Sequence, residues 1–255
     1  MTSDLDRVVY VGHATVLIEL DGVRLLTDPV LGGWVGPLRR YGASPAGEVT
    51  ERLDAILISH LHRDHADLRS LRRIDAGMPL IVPGGTRAFF EARGFAKVTE
   101  LRPGQSHRLG GVTVTATAAD HEIGRRGVDA EPVGFLVEGS RRLYFAGDTD
   151  LFDGMAALGG ELDLALLPVW GWGPTLGPGH MNPERAARAA ALLAPRIAVP
   201  IHWGTLYPAG LRRLRPRPLT QPPLEFAART EVLAPQVDVR VLAPGAELLL
   251  PPVDR

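Results

Sequence analysis

Residues 56–67 read ILISHLHRDHAD, an apolar run that passes without a turn signal into His60, His62, Asp64 and His65. Three of the eight histidines of the chain lie here, and there is no cysteine anywhere. Imidazole nitrogen and carboxylate oxygen are the donors that zinc, or iron or manganese, accepts when thiolate is absent. Four such donors within six residues, just after a strand, have ligand spacing. His60 and His62 share one side of the turn and Asp64 and His65 reach another point, which suits two metals. Burying that many uncompensated polar groups without a partner would be costly. One motif cannot complete two coordination spheres, so histidines and aspartates at other strand ends become candidates: His121 after Val112 to Thr117 and a short tail, Asp148 after Arg142 to Phe145, and His202 after Ala198 to Ile201.

The remaining chain reads as a frame for these strand ends. Val8 to Tyr10, Thr15 to Leu20 and Val23 to Thr27 are apolar strands, the last two joined by the hairpin signal Asp21-Gly22. Leu31 to Gly47 has no period and reads as a long loop, a possible lid. Strands and helices then alternate: Ala55 to Ile58, Asp67 to Ile74, Leu80 to Val82, Thr86 to Ala92. Strands return at Val112 to Thr117, Val133 to Val137 and Arg142 to Phe145, and again at Leu164 to Val169. Asn182 can cap a helix that Pro183 and Glu184 open. Residues 207–223 are rich in proline and arginine and read as an irregular excursion before strands at Val237 to Val241 and Glu247 to Leu250. VLIELDGVRLLTD (16–28) and FLVEGSRRLYFAGD (135–148) echo one another, each ending a strand on an aspartate. The order fits α+β architecture, two mixed sheets packed together with helices outside. No linker divides the chain, so residues 1–255 are expected to form a single domain.

Composition narrows the function. A hydrophobic share of 45% supports a real core, and 28 basic against 29 acidic side chains offer no field for polyanions, so no nucleic-acid partner is expected. The absence of cysteine removes disulfides and thiol nucleophiles. No run is long and apolar enough for a transmembrane segment and no leader pattern is visible, which predicts a cytoplasmic protein.

SHLHRDH, HEI, AGDT and IHWGT, with GHATVLIELDGVRLLTDPVL and GHMNPERAARAAALLAP, resemble the metallo-β-lactamase superfamily between about Val8 and Thr205. The likeness is greatest to the branch holding ascorbate-6-phosphate lactonase and N-acyl-phosphatidylethanolamine phospholipase D. The resemblance implies a four-layer αββα sandwich and two divalent metal ions, Zn2+ first with Mn2+ or Fe2+ as alternatives. It also implies that His60, His62 and His121 hold one ion, Asp64, His65 and His202 the other, and that Asp148 bridges them. Between two such ions water loses a proton near neutral pH, its pKa falling from about 16 towards 7, so a solvent-derived hydroxide serves as nucleophile. Asp64 is then a ligand first; it and His180, which also stands in a GH before NPE in the phospholipase-like branch, compete as proton donor. His180 has a second reading as a cap of the following helix.

Other residues carry weaker expectations. Asp28 can orient a ligating imidazole, while a hydrogen-bonded structural role suits His13 at least as well. Gly147 and Gly204 permit close backbone approach, and Trp170, Trp172 and Trp203 are candidates for a pocket wall or core. Arg39, Arg40, Arg125 and Arg126 can neutralise a phosphate or carboxylate, or be ordinary surface arginines. A cysteine ligand, an RNA-binding arm and a helical C-terminal substrate domain, each typical of other members, are not visible in the sequence. A small soluble lactone, ester or phosphoester is the expected substrate. A lipid-like phosphodiester, a flavodiiron-like redox role and a metal-stabilised binding module without turnover stay open.

Overall fold

The computed structural model describes residues 6–42, 47–122 and 128–251. The first half contains β1 (Arg7–Gly12), β2 (Thr15–Leu20), β3 (Val23–Thr27), β4 (Trp34–Val35), β5 (Leu38–Arg40), β6 (Ala55–Leu57), α1 (Leu68–Ile74), β7 (Leu80–Pro83), α2 (Arg87–Glu91) and β8 (Val98–Leu101). The second contains β9 (Ser106–Leu109), β10 (Val112–Ala118), β11 (Val133–Glu138), β12 (Arg142–Phe145), β13 (Leu164–Pro168), α3 (Pro183–Leu193), β14 (Ile197–Ile201), β15 (Leu206–Pro208), α4 (Gln221–Leu233), β16 (Asp238–Val239) and β17 (Glu247–Leu249).

Two seven-stranded sheets result, in the orders β17-β1-β2-β3-β6-β7-β8 and β16-β14-β13-β12-β11-β10-β9. Each joins four antiparallel strands to three parallel ones: β17 to β3 then β6 to β8, and β9 to β12 then β13, β14 and β16. The echo between residues 16–28 and 135–148 falls on the corresponding hairpins, β2–β3 and β11–β12.

Alternation along the strands makes the layers. Val8, Tyr10, Val16, Ile18 and Leu25 face a core shared with Val114, Phe135, Phe145 and Leu166 of the other sheet. Val9, Val11, Leu17 and Leu26 point the opposite way, towards Leu71 of α1 and Phe90 of α2. Ala186, Ala187, Ala190 and Leu193 of α3 and Phe226 of α4 cover the second sheet, so the layers run αββα. Leu166 is fully buried in central strand β13. Its replacement by alanine is expected to cost about 2–5 kcal/mol in urea unfolding with an unchanged m value, through lost transfer energy and a residual cavity.

Three stretches differ from the sequence reading. β8 and β9 carry little strand signal, because both are short, only the two ends of β8 are buried and no residue of β9 is. α4 occupies the tail of the proline-rich excursion: Pro222 and Pro223 fall in the first turn, where a missing N–H costs nothing, and Phe226 and Thr230 continue the buried face. Leu31 to Gly47 is no free flap in its described part. β4 and β5 form a hairpin, and β5 pairs with β15 just beyond His202. Residues 43–46 lie outside the described segments.

Candidate metal centre

Strand direction explains where the chemistry gathers. β1, β3, β6, β10, β12, β13 and β14 all end towards one edge of the sandwich, and the residues just past those ends are His13, Asp28, His60, His121, Asp148, Trp170 and His202. Open sheets bind ligands beyond the carboxyl ends of such strands. The cross-links there are tight: Asp28 N donates to Leu57 O at 2.9 Å, Asp120 N to Thr149 Oγ1 at 2.8 Å, and His202 N to His13 O at 2.8 Å. His13, Asp28 and His202 have φ of 58°, 36° and 64°, a left-handed backbone that non-glycine residues adopt at a cost and that clusters at functional sites.

Two groups of donors form. His60 Nε2 and His121 Nε2 stand 2.9 and 3.0 Å from His62 Nδ1. Beside them, Asp64, His65 and His202 gather with His13, all four buried. His65 Nε2 and His202 Nε2 are 3.1 Å apart. Asp148 lies between the groups, with Oδ2 3.1 Å from His65 Nε2 and Oδ1 3.1 Å from His202 Nε2. Despite that approach Oδ1 makes no hydrogen bond of acceptable geometry and is buried without one. His180 Nε2 reaches Asp148 Oδ2 at 3.5 Å, and its ring stands 4.7 Å from that of His121. All seven proposed ligands and His180 are therefore brought together.

The outer nitrogens decide which way the lone pairs point. His121 Nδ1 donates to Gly179 O at 2.7 Å and His202 Nδ1 to Trp170 O at 2.9 Å, and a carbonyl can only accept. His65 Nδ1 donates to Asp28 Oδ2 at 2.8 Å. Ser59 Oγ spends its proton on the same Asp28 oxygen at 2.5 Å, so at 3.0 Å it accepts from His60 Nδ1. In the neutral rings, His60, His65, His121 and His202 thus all turn an unprotonated Nε2 inward. Two lone pairs 3.1 Å apart repel; a cation between them removes the conflict. Together with the orphaned Asp148 oxygen, this donor set fits divalent metal, with outer partners holding the ligands in the correct tautomer.

Electrostatics agree. Burial, reinforced by neighbouring imidazoles, holds His60 well below the ordinary imidazole pKa and His121 down at about 4, so both are available as neutral ligands. Burial also disfavours charge on His65, but Asp148 and Asp28 outweigh it and raise that pKa strongly. These acids demand positive charge near its Nε2, as proton or as metal. Burial would raise Asp148 and Asp64; His202 and His65 hold the first ionised, the His13 hydrogen bond and His65 the second.

His13 belongs to this assembly more closely than its place in the sequence suggested. Its Nε2 donates to Asp64 Oδ2 at 2.9 Å, and burial depresses its own pKa to about 3. The available signal was its position after β1, equivalent in direction to the other strand ends. Gly147 has φ 62°, and a Cβ there would come within 2.7 Å of Ser59 Cβ, so glycine keeps Asp148 close to the His60 turn. Trp203 is core, stacked on Tyr10 at 5.9 Å, whereas Trp170 is half-buried and Trp172 exposed. Arg40 is turned inward: it is 8% exposed, its Nε and Nη2 donate to Gly32 O and Val30 O, and its Nη1 is buried without a hydrogen bond. Arg125 and Arg126 lie outside the described residues.

Comparison with known proteins agrees with this geometry. Residues 23–203 match the beta-lactamase superfamily domain. A metal-dependent hydrolase of Methanopyrus kandleri is 32% identical, over 94% of this chain and 97% of that protein. The N-acyl-phosphatidylethanolamine-hydrolyzing phospholipase D 1 of Caenorhabditis elegans is 35% identical over 79% of this chain, which spans 64% of that relative. The structure of a metallo hydrolase from Ignicoccus hospitalis superposes with a TM-score of 0.73 at 26% identity, over 95% of this chain and 97% of the other. Among the described residues no helix is long and apolar enough to cross a membrane. The chain therefore belongs to the beta-lactamase superfamily and is a metal-dependent hydrolase.

Proposed function

We propose that the chain is one domain carrying a dinuclear centre, with His60, His62 and His121 holding one divalent cation, Asp64, His65 and His202 the second, and Asp148 between them. The inward turn of four Nε2 lone pairs, two of them 3.1 Å from the buried Asp148 carboxylate, is the observation that carries this reading. Zn2+ is the preferred ion for so imidazole-rich a set, with Mn2+ or Fe2+ as alternatives. When bound, the cations would bring the pKa of coordinated water close to neutrality and polarise a carbonyl or phosphoryl oxygen.

The chain's own residues divide the remaining work. Asp64 is ionised and accepts from His13, so it has no proton to give. His180 keeps one-fifth of its side chain exposed. Burial works against its charge, but Asp148 pushes its pKa up to about 9. With Asp148 shared by a bound cation, the His180 value would fall towards the range in which a proton donor is efficient. His180 is therefore the proposed donor to the leaving group. His13 positions Asp64 and Asp28 positions His65.

The proposed substrate is a small soluble lactone, ester or phosphoester. A lipid-like phosphodiester is the second reading, favoured by the identity to the phospholipase of C. elegans. Metal analysis of the purified protein, followed by a screen of lactones, phosphodiesters and acyl esters with Zn2+, Mn2+ or Fe2+ restored, tests both. Two metals per chain and turnover of one class are expected. Less than one metal per chain under every condition would sink the proposal.

A further inference from the structure

A second cluster of chemistry lies behind the strand-turn that carries His202. β5 and β15 pair Arg39 with Tyr207, and the 3-10 turn Leu211–Arg213 closes over them. A cavity of about 560 Å³ opens there, lined by Arg39, Tyr41, Gly210, Arg212 and Arg213. The guanidinium carbons of Arg39 and Arg212 lie 5.7 and 5.2 Å from the centre of the Tyr41 ring, so one aromatic side chain gathers two cations. None of the three arginines forms an ion pair among the described residues, although elsewhere Arg141, Arg142, Arg185 and Arg188 do. Residues 30–42 and 203–224 contain six arginines and neither aspartate nor glutamate, in a chain whose total charges nearly balance.

Scattered surface arginines need no ligand. These three converge on one concavity, and the repulsion among them is relieved by nothing the described chain supplies. Guanidinium forks match the oxygens of a tetrahedral or planar oxyanion, and the Tyr41 ring limits how far the forks wander. The pocket is also joined to the metal centre by backbone: Tyr41 N donates to Thr205 O at 2.7 Å, and His13 N donates to Thr205 Oγ1 at 3.1 Å.

We propose that Arg39 and Arg212, gathered round Tyr41, form with Arg213 a phosphate-binding site that takes the phosphate group of a phosphate ester. The binding of the anion stands on this pocket alone; the further step, that the ester is a substrate of the neighbouring centre, rests on the function proposed above.

Calorimetric titration of the metal-loaded full chain with glycerol 3-phosphate, and with glycerol as the uncharged control, tests the site. The phosphate ester binds saturably and glycerol does not, and affinity falls as salt rises. Arg39→Ala and the double variant Arg212→Ala/Arg213→Ala each weaken binding at least about tenfold, a loss of ~1.4 kcal/mol. Asp148→Asn leaves it within about twofold, because an ester seated in the arginine pocket does not need the metals. Absence of saturable binding of any phosphate, or binding lost in Asp148→Asn and retained in both arginine variants, would overturn the proposal. Cosedimentation with phosphatidylglycerol but not phosphatidylcholine vesicles, abolished by the same arginine substitutions, would support the site and assign the phosphate to a lipid headgroup. Binding of glycerol 3-phosphate without cosedimentation supports the site and assigns it to a soluble ester. Phosphate binding through these arginines in a chain that takes up less than one metal under every condition would refute the dinuclear reading and leave the pocket standing.

Discussion

Replacement of Asp148 by alanine is expected to lower kcat/KM on the best substrate by at least about a thousandfold, or ~4 kcal/mol of transition-state stabilisation. The same change is expected to lower the metal content of the purified protein. Both oxygens of Asp148 face imidazole nitrogens, from His65 and His202 at 3.1 Å and from His180 at 3.5 Å. Alanine removes the carboxylate that, among the described residues, stands between the two histidine groups, and with it the anionic donor that a cation there would share with the imidazoles. Asp148→Asn separates charge from shape: it retains the side-chain volume but presents an amide N–H₂ to nitrogens that must accept a cation. Elemental analysis and steady-state kinetics on both variants check the expectation. Unchanged hydrolysis in Asp148→Ala would remove this residue from the centre.

Asp28→Asn is expected to weaken metal affinity about 10–100-fold although Asp28 is proposed to bind no metal. Asp28 accepts from Ser59 N at 2.7 Å, Ser59 Oγ at 2.5 Å and His65 Nδ1 at 2.8 Å. An asparagine has one accepting oxygen for these three donors, and its amide must face at least one of them. A fully buried donor left unmatched costs about 1–3 kcal/mol, so urea unfolding is expected to show destabilisation of that order as well. The affinity loss is a statement about His65 and His60, whose tautomers Asp28 sets directly and through Ser59. Competition with a chromogenic chelator measures it. A variant destabilised in urea yet unchanged in metal affinity would reduce Asp28 to a packing role.

Much of the centre is legible in the sequence, because short apolar runs followed by His or Asp mark strand ends and every proposed ligand follows one. His13 was harder to place. GHA carries one histidine in a tight turn, and its partner Asp64 lies 51 positions away, joined only when the ends of β1 and β6 meet. The helix α4 was hidden by its own prolines, which signal a break in the interior of a helix but are tolerated in its first turn. Arg40 looked like its exposed neighbour Arg39. Strand alternation turns it inward, where the carbonyls of Val30 and Gly32 occupy it.

ILISHLHRDHAD thus specified the donor types, their spacing after a strand and the exclusion of thiolate chemistry, since residue identity and local periodicity are properties of the chain. Sheet assembly settled the rest: that two 4+3 sheets end their parallel strands on one edge, that outer hydrogen bonds turn four imidazole lone pairs inward, and that Arg39 and Arg212 share the Tyr41 ring while Arg213 lines the same pocket. Those features depend on contacts between residues far apart in the chain, such as His65 and His202, 137 positions apart. Local sequence carries no record of such distances until the core has packed.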